Sequence, residues 1–203
     1  MEVIHKFGNI QYKEMDKVYP VSEDTLFLLG SVKRLLEKDD GRIMDMGCGV
    51  GLITLFASSL GWEVISVDRE PLALENLRSN LAMNKLSSDL YLSDLFEGIP
   101  RKYEGSFDTI SFNPPYLPHE NIPIDRRADM ALVGGENGHE VAEKFIRASS
   151  DFLKVGGRVI MLAYSSWVKK IDIGSIGSMI PNVKFKEKEI DGERFMIMEL
   201  VKK

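Results

Sequence analysis

The stretch RIMDMGCGVGLITLFASSL, residues 42–60, runs an apolar segment into a glycine-spaced turn and then into a second apolar segment. RIMDMG (42–47) is short, apolar and closed by glycine, which predicts a buried strand. Val50–Leu60 has the length and pattern of a helix. Between them Gly47, Gly49 and Gly51 are spaced Gly-x-Gly-x-Gly. Glycine lets backbone approach a ligand closely, and open α/β sheets bind ligands at the carboxyl ends of their strands.

The same alternation continues outward. EVISVD (63–68), DLYLSD (89–94), FDTISFN (107–113) and GRVIMLAY (157–164) read as further strands bounded by turn residues. Pro71–Asn84 reads as a helix with Leu74, Leu77 and Leu81 on one face, proline at its first turn and Asn84 closing it. Val141, Phe145, Ala148 and Phe152 mark another, ended by Gly156-Gly157. Alternating strands and helices predict an α/β fold, a doubly wound parallel sheet with helices on both faces. KFKEKEIDGERFMIMELV (184–201) departs from this. It predicts an antiparallel hairpin around Asp191-Gly192, an ending unusual for a nucleotide dehydrogenase. Residues 114–135 read as a long loop, and loops of that length in compact domains tend to be functional or disordered. Upstream, residues 1–18 predict a leading hairpin, and Ser22 predicts a helix N-cap with Glu23 and Asp24 in the first turn.

Composition narrows the partners. The formal net charge is −5 over 203 residues with no basic run, which weighs against a surface that tracks nucleic-acid phosphates. No apolar stretch approaches the ~18 residues of a membrane span, and the N-terminus lacks a signal-peptide layout. One cysteine, Cys48, excludes an intramolecular disulfide and fits a reducing cytoplasm. His5, His119 and His139 have no metal-ligand spacing.

The glycine turn also carries an acid. Asp45, Asp68 and Asp94 fall at the ends of three consecutive strands, no lysine stands in the turn, and Leu52 occupies the place of the dinucleotide fingerprint's third glycine. Three carboxylates suit a cationic nucleoside better than a pyrophosphate, and S-adenosylmethionine fits that description. On these residues the chain resembles the class I S-adenosylmethionine-dependent methyltransferases, whose Rossmann-like fold has a seven-stranded, mostly parallel sheet with a terminal antiparallel hairpin. The resemblance covers essentially the whole sequence. It implies a single domain over 1–203, with 1–40 covering the cofactor pocket and 41–203 forming the core. It places Gly47, Gly49 and Gly51 along the methionine portion of the cofactor, Asp45 at its amino end, Asp68 at the ribose and Asp94 at the adenine. Arg69 and Leu95 flank these positions.

FNPPY follows the fourth strand. Two prolines fix φ and remove two donors, leaving a stiff loop of acceptors around Asn113, Pro114 and Tyr116. NPPY resembles the signature of methyltransferases acting on planar nitrogens, among them N6-adenine, N2-guanine and HemK-type glutamine enzymes. In that chemistry the Asn113 side-chain oxygen and the Pro114 carbonyl hold the acceptor's N–H groups, and Tyr116 packs on its plane. VYPVSEDTLFLL (18–29) resembles the V-Y-x-P-x-E-D-T segment of the short, archaeal and eukaryotic HemK-like enzymes, with its proline one place early at Pro20. That resemblance puts Thr25 at the methionine end of the cofactor. LVGGENGHEV (132–141) resembles their Gly-Gly-Glu-x-Gly stretch. The residues before Arg42 are too few for the helical recognition domain of the bacterial enzymes. The family implied is the HemK-like N5-glutamine methyltransferases, with the Gly-Gly-Gln loop of a class-I release factor as acceptor and a small zinc-binding activator subunit as a further partner. The alternative is an N6-adenine or N2-guanine methyltransferase acting on RNA or DNA, which the acidic balance disfavours. A non-catalytic scaffold would be expected to lose Asn113. Arg126 and Arg127 read as a solvated pair and Cys48 as filler, while His119 stands close enough to NPPY in sequence to reach an acceptor without a motif that assigns it there.

Overall fold

Ile43, Met44, Ile65, Val67, Ile110 and Phe112 are all buried, on strands covered on both faces as in a parallel sheet. The computed structural model describes residues 3–37, 40–119, 131–164, 179–181, 186–190 and 192–203. In chain order the strands are β1 (His5–Phe7), β2 (Ile10–Tyr12), β3 (Arg42–Met46), β4 (Glu63–Asp68), β5 (Asp89–Leu92) and β6 (Phe107–Phe112), then β7 (Leu117–Pro118), β8 (Val133–Gly135), β9 (Leu153–Tyr164), β10 (Met179–Pro181), β11 (Lys186–Ile190) and β12 (Glu193–Lys202). The helices are α1 (Glu23–Leu36), α2 (Leu52–Ser59), α3 (Pro71–Asn84) and α4 (Glu140–Phe152).

The main sheet has the order β10-β12-β9-β6-β3-β4-β5. β3, β4, β5, β6 and β9 pair in parallel, and β12 lies antiparallel to β9. β11 also pairs with β12, so β10 and β11 share one edge and eight strands fill seven positions. The class I methyltransferase sheet is therefore present, with its terminal hairpin formed by β11 and β12. Asp191, at its turn, lies outside the described residues. The leading hairpin is β1 and β2, turning at Gly8.

Several boundaries differ from the sequence reading. α4 stops at Phe152, and the chain enters β9 at once. Gly156 and Gly157 do not end the helix. They form a bulge, because Phe107 pairs with Leu153 while Thr109 pairs with Arg158. A β-carbon at Gly157 would stand 2.8 Å from the Phe107 carbonyl oxygen, so the bulge needs glycine there. Lys85, in the left-handed region at φ 57°, closes α3 in place of Asn84. Ser22 holds the N-cap position of α1 without a side-chain capping bond. Residues 114–135 are not all loop, since β7 and β8 form a short parallel pair within them. Arg126 and Arg127 lie outside the described residues.

Candidate active site

Chain order and sheet order part company between β3 and β6, and a cavity opens there at the carboxyl ends of the strands. Met46 pairs with Phe112, so Gly47 and Asn113 are the first residues beyond two adjacent strand ends. Thr25, Asp45, Gly47, Gly49, Gly51, Asp68, Arg69, Asp94, Leu95, Asn113, Pro114 and Tyr116 all line this one cavity. Two of the three glycines stand there for different reasons. A β-carbon on Gly51 would run into Leu77 Cδ1, so this glycine lets α3 pack against the turn. Gly49, at φ 52°, has nothing nearer its β-carbon position than the Tyr19 carbonyl oxygen at 3.8 Å. Gly49 is the glycine that keeps cavity space open.

The three acids differ as sharply. Asp45 is 3% exposed. Its Oδ2 accepts from the Thr54 N–H at 3.1 Å and the Thr54 hydroxyl at 2.7 Å, and its Oδ1 accepts from Ser111 Oγ at 3.3 Å. Burial raises its pKa to about 6 against the lowering effect of those bonds. Asp68 accepts from the backbone N–H of Gly49 and of Glu70, both at 2.9 Å, so it ties the glycine turn to the end of β4. Burial raises this carboxyl too. Asp94 is exposed and lies two residues beyond the end of β5. No helix begins behind it to be capped. Leu95 follows at φ 47°, a conformation costly for a branched residue, beside a turn in which Ser93 Oγ accepts from the Gly98 N–H at 2.7 Å.

Across the cavity stands the proline loop. Asn113 donates from Nδ2 to Asp24 Oδ2 at 3.2 Å, while its Oδ1 is buried with no hydrogen-bond partner among the described residues. A buried, unpaired amide oxygen costs roughly 1–3 kcal/mol unless a ligand supplies the donor. Pro114 is buried beside it. The Tyr116 and Leu117 N–H groups both donate to the Leu132 carbonyl, at 3.0 and 2.8 Å. A β-carbon at Gly134 would stand 2.5 Å from the Pro115 carbonyl oxygen, and one at Gly138 would stand 2.5 Å from that of Tyr116. The Gly-Gly-Glu-x-Gly stretch is thus the bed on which the proline loop lies, and a side chain in either place would lift the loop.

Comparison with known proteins agrees with this geometry. The family model "Methyltransferase small domain" matches residues 23–173. MJ0928 of Methanocaldococcus jannaschii, provisionally named a protein N5-glutamine methyltransferase, is 33% identical over 86% of this chain and 86% of its own length. The chain belongs to the methyltransferase small-domain family. Within it, the chain is one of the HemK-like methyltransferases. The release factor glutamine methyltransferase of Deinococcus radiodurans is 31% identical over 70% of this chain and 51% of its own. Among solved structures, the Thermus thermophilus 16S rRNA N2 G1207 methyltransferase RsmC, in complex with AdoMet and guanosine, superposes with a TM-score of 0.70. It is 19% identical over 100% of this chain and 50% of its own, a likeness of fold.

In this methyltransferase the cofactor is S-adenosylmethionine, and the cavity suits it. Acids line both sides, Gly49 leaves room at the turn, and Asn113 Oδ1 has no hydrogen-bond partner among the described residues. Tyr116 stacks on Tyr164, with centroids 5.3 Å apart and planes 9° apart, and meets Phe195 edge-on at 5.3 Å. Tyr164 and Phe195 were not read as site residues; only β9–β12 pairing brings them together. Cys48 is buried in the cavity wall and burial pushes its thiol up, so the helix N-terminus does not activate it. His119 is exposed.

The sequence reading also missed what hangs the 17–25 segment over the cavity. Asn76, Asn80 and Asn84 project from α3 and read the backbone of the leading strand. Their Oδ1 atoms accept from the N–H groups of Met15, Lys13 and Gln11 at 2.8, 2.8 and 2.9 Å. Their Nδ2 groups donate back, Asn76 and Asn80 to the Lys13 carbonyl and Asn84 to that of Gln11. The signal was available as asparagine at i, i+4 and i+8 of a helix, one residue type on one face.

Proposed function

We propose that this methyltransferase moves the methyl group of S-adenosylmethionine to the side-chain amide nitrogen of a glutamine, in the Gly-Gly-Gln loop of a class-I peptide chain release factor. The observation that carries the reading is the buried Asn113 Oδ1, without a hydrogen-bond partner among the described residues, on a residue that lines a carboxylate-rich cavity. A glutamine amide nitrogen is a poor nucleophile because its lone pair is delocalised. It offers two N–H groups, and Asn113 Oδ1 with the Pro114 carbonyl would accept one each. That grip aims the nitrogen and stabilises the positive charge that grows on it during attack. With cofactor bound, Asn113 Oδ1 and the Pro114 carbonyl would hold the nitrogen lone pair toward the methyl, and the proton would leave the nitrogen to solvent afterwards. No base is required beforehand. Bound cofactor supplies an electrophilic methyl on a sulfonium. Gly47, Gly49, Gly51, Thr25 and Asp45 would hold its methionine end, Asp68 and Arg69 its ribose, and Asp94 and Leu95 its adenine. Tyr116, backed by Tyr164, would pack on the acceptor plane.

In the same reading, residues 1–203 act as one domain whose first 40 residues cover the cofactor, the protein works in the cytoplasm, and a small zinc-binding activator subunit is its partner. Among the described residues no helix is long and apolar enough to cross a membrane. The test is methyl transfer from labelled S-adenosylmethionine to a release factor, ribosomal RNA and duplex DNA in parallel, with and without the activator. Label on the release factor alone supports the reading. Label on nucleic acid with the release factor unmarked replaces it with a base methyltransferase.

A further inference from the structure

Asp24 stands on the first turn of α1, in the cavity wall, and is 4% exposed. Its two oxygens have separate tasks. Oδ1 accepts from the Thr25 N–H, the Thr25 hydroxyl and the Ser22 hydroxyl, which pins the carboxylate to its own turn. Oδ2 accepts from the Tyr19 hydroxyl at 3.1 Å and from Asn113 Nδ2 at 3.2 Å. The Ser22 hydroxyl also lies 3.2 Å from that of Tyr19. The carboxylate is therefore held by three side chains of its own segment and reaches across 89 residues of sequence to the fourth.

An ionised carboxylate can only accept. It can pair with the NH2 end of Asn113 and not with the oxygen end. An asparagine amide has two ends of nearly equal size, so packing alone does not choose between them. We infer that Asp24 is the positioning residue that sets which end of Asn113 faces the acceptor, so that Oδ1, a hydrogen-bond acceptor, points into the cavity. This makes the Glu-Asp-Thr segment part of the acceptor site as well as of the cofactor wall. The inference rests on the proposed glutamine reading for its kinetic consequence and on geometry alone for the amide orientation.

Asp24→Asn keeps size and burial but replaces one acceptor by an NH2 group. The new amide can donate to position 113, which lets Asn113 turn its oxygen toward α1 and its NH2 toward the cavity. The double variant D24N/N113D restores the pairing in reverse. The amide now at position 24 donates to one oxygen of the carboxylate now at position 113, and the other oxygen again faces the cavity as an acceptor. The experiment measures kcat and KM on a release factor for the wild type, D24N and D24N/N113D, with cofactor affinity and Tm for each. It adds the side-chain amide 1H–15N resonances of Asn113 in the wild type and in D24N. We expect D24N to lose roughly 10- to 100-fold in kcat with cofactor affinity and Tm little changed, to shift the Asn113 amide resonances, and to recover most of the lost kcat in the double variant. A merely structural Asp24 gives a lowered Tm and no recovery, which overturns the inference. So does an unshifted Asn113 amide. Should the wild type leave the release factor unmethylated, the function reading fails and the resonances still decide the orientation.

Discussion

Lys13 and Asn80 exchange hydrogen bonds in both directions: the Lys13 N–H donates to Asn80 Oδ1 at 2.8 Å, and Asn80 Nδ2 donates to the Lys13 carbonyl at 3.0 Å. The side-chain amide mimics a neighbouring strand, on a helix. Asn80 is fully buried and also donates to the Val50 carbonyl at 3.0 Å, just before α2 begins. One side chain thus joins the leading hairpin, the glycine turn and α3. The chain beyond Met15 crosses the cavity mouth from this anchor.

Asn80→Ala leaves the Lys13 N–H, the Lys13 carbonyl and the Val50 carbonyl without that partner. We expect a loss of roughly 2–4 kcal/mol of unfolding free energy in urea. Hydrogen exchange should speed up over residues 11–25 first, and cofactor should bind several-fold more weakly. Unchanged exchange in that segment would remove the anchoring role.

Gly134→Ala tests the bed under the proline loop. The added carbon would press on the Pro115 and Gly138 carbonyl oxygens, both backbone and neither able to swing aside. Overpacking of this kind costs about 1–3 kcal/mol. The displacement falls on the acceptor side of the cavity, so kcat should drop at least tenfold, as expected for a misplacement on the order of 1 Å, while cofactor affinity holds. Equal losses in both would place the damage elsewhere.

Much of this architecture was legible because it rests on local signals. Pro71 and the Leu74, Leu77 and Leu81 face give α3 its bounds, and the glycine turn, the acids at strand ends and NPPY locate the cavity. The boundaries that shifted are those set by distant partners. Gly157 reads as a helix stop in sequence, yet its role is fixed by the Phe107 carbonyl fifty residues earlier in the chain. Ser22 looks like an N-cap, but its hydroxyl serves Asp24 and Tyr19. The Asp24–Asn113 bond was beyond reach for the same reason, since no local pattern announces a contact between the first helix and the fourth central strand's end.

Stability should carry two opposite pH dependences. The folded Asp45 carboxyl, raised from 3.8 to about 6, holds its proton more tightly than the unfolded chain does. Its contribution is therefore full below pH 3.8 and is lost as pH rises through 6. Asp45→Asn should remove that component, up to roughly 3 kcal/mol between about pH 4 and 6. Partial burial raises the Glu140 carboxyl, but bonds from Asn137 and the backbone outweigh it and hold it at about 2. Its contribution is present above 4.5 and fades as pH falls toward 2, so Glu140→Gln should flatten the acid limb. Urea unfolding across roughly pH 2–8, without cofactor, separates the two. A D45N curve parallel to that of the wild type between about pH 4 and 6 would contradict the assignment.

Asn113→Ala removes the acceptor without touching the glycine turn. Turnover should fall by roughly 10²–10³-fold, the usual loss for a preorganised hydrogen-bonding group in an active site. Cofactor affinity by calorimetry should stay within a few-fold. Retained turnover would take the proline loop out of the chemistry.

Locating the transferred methyl group decides between a glutamine acceptor and a nucleic-acid base. A class-I release factor is incubated with S-adenosylmethionine and this methyltransferase, with the activator subunit present, then digested and sequenced by tandem mass spectrometry. One added methyl is expected on the side-chain nitrogen of the glutamine in the Gly-Gly-Gln loop, and none when that glutamine is asparagine. Methylation at any other residue, or an unmodified loop beside a methylated RNA control, would contradict it.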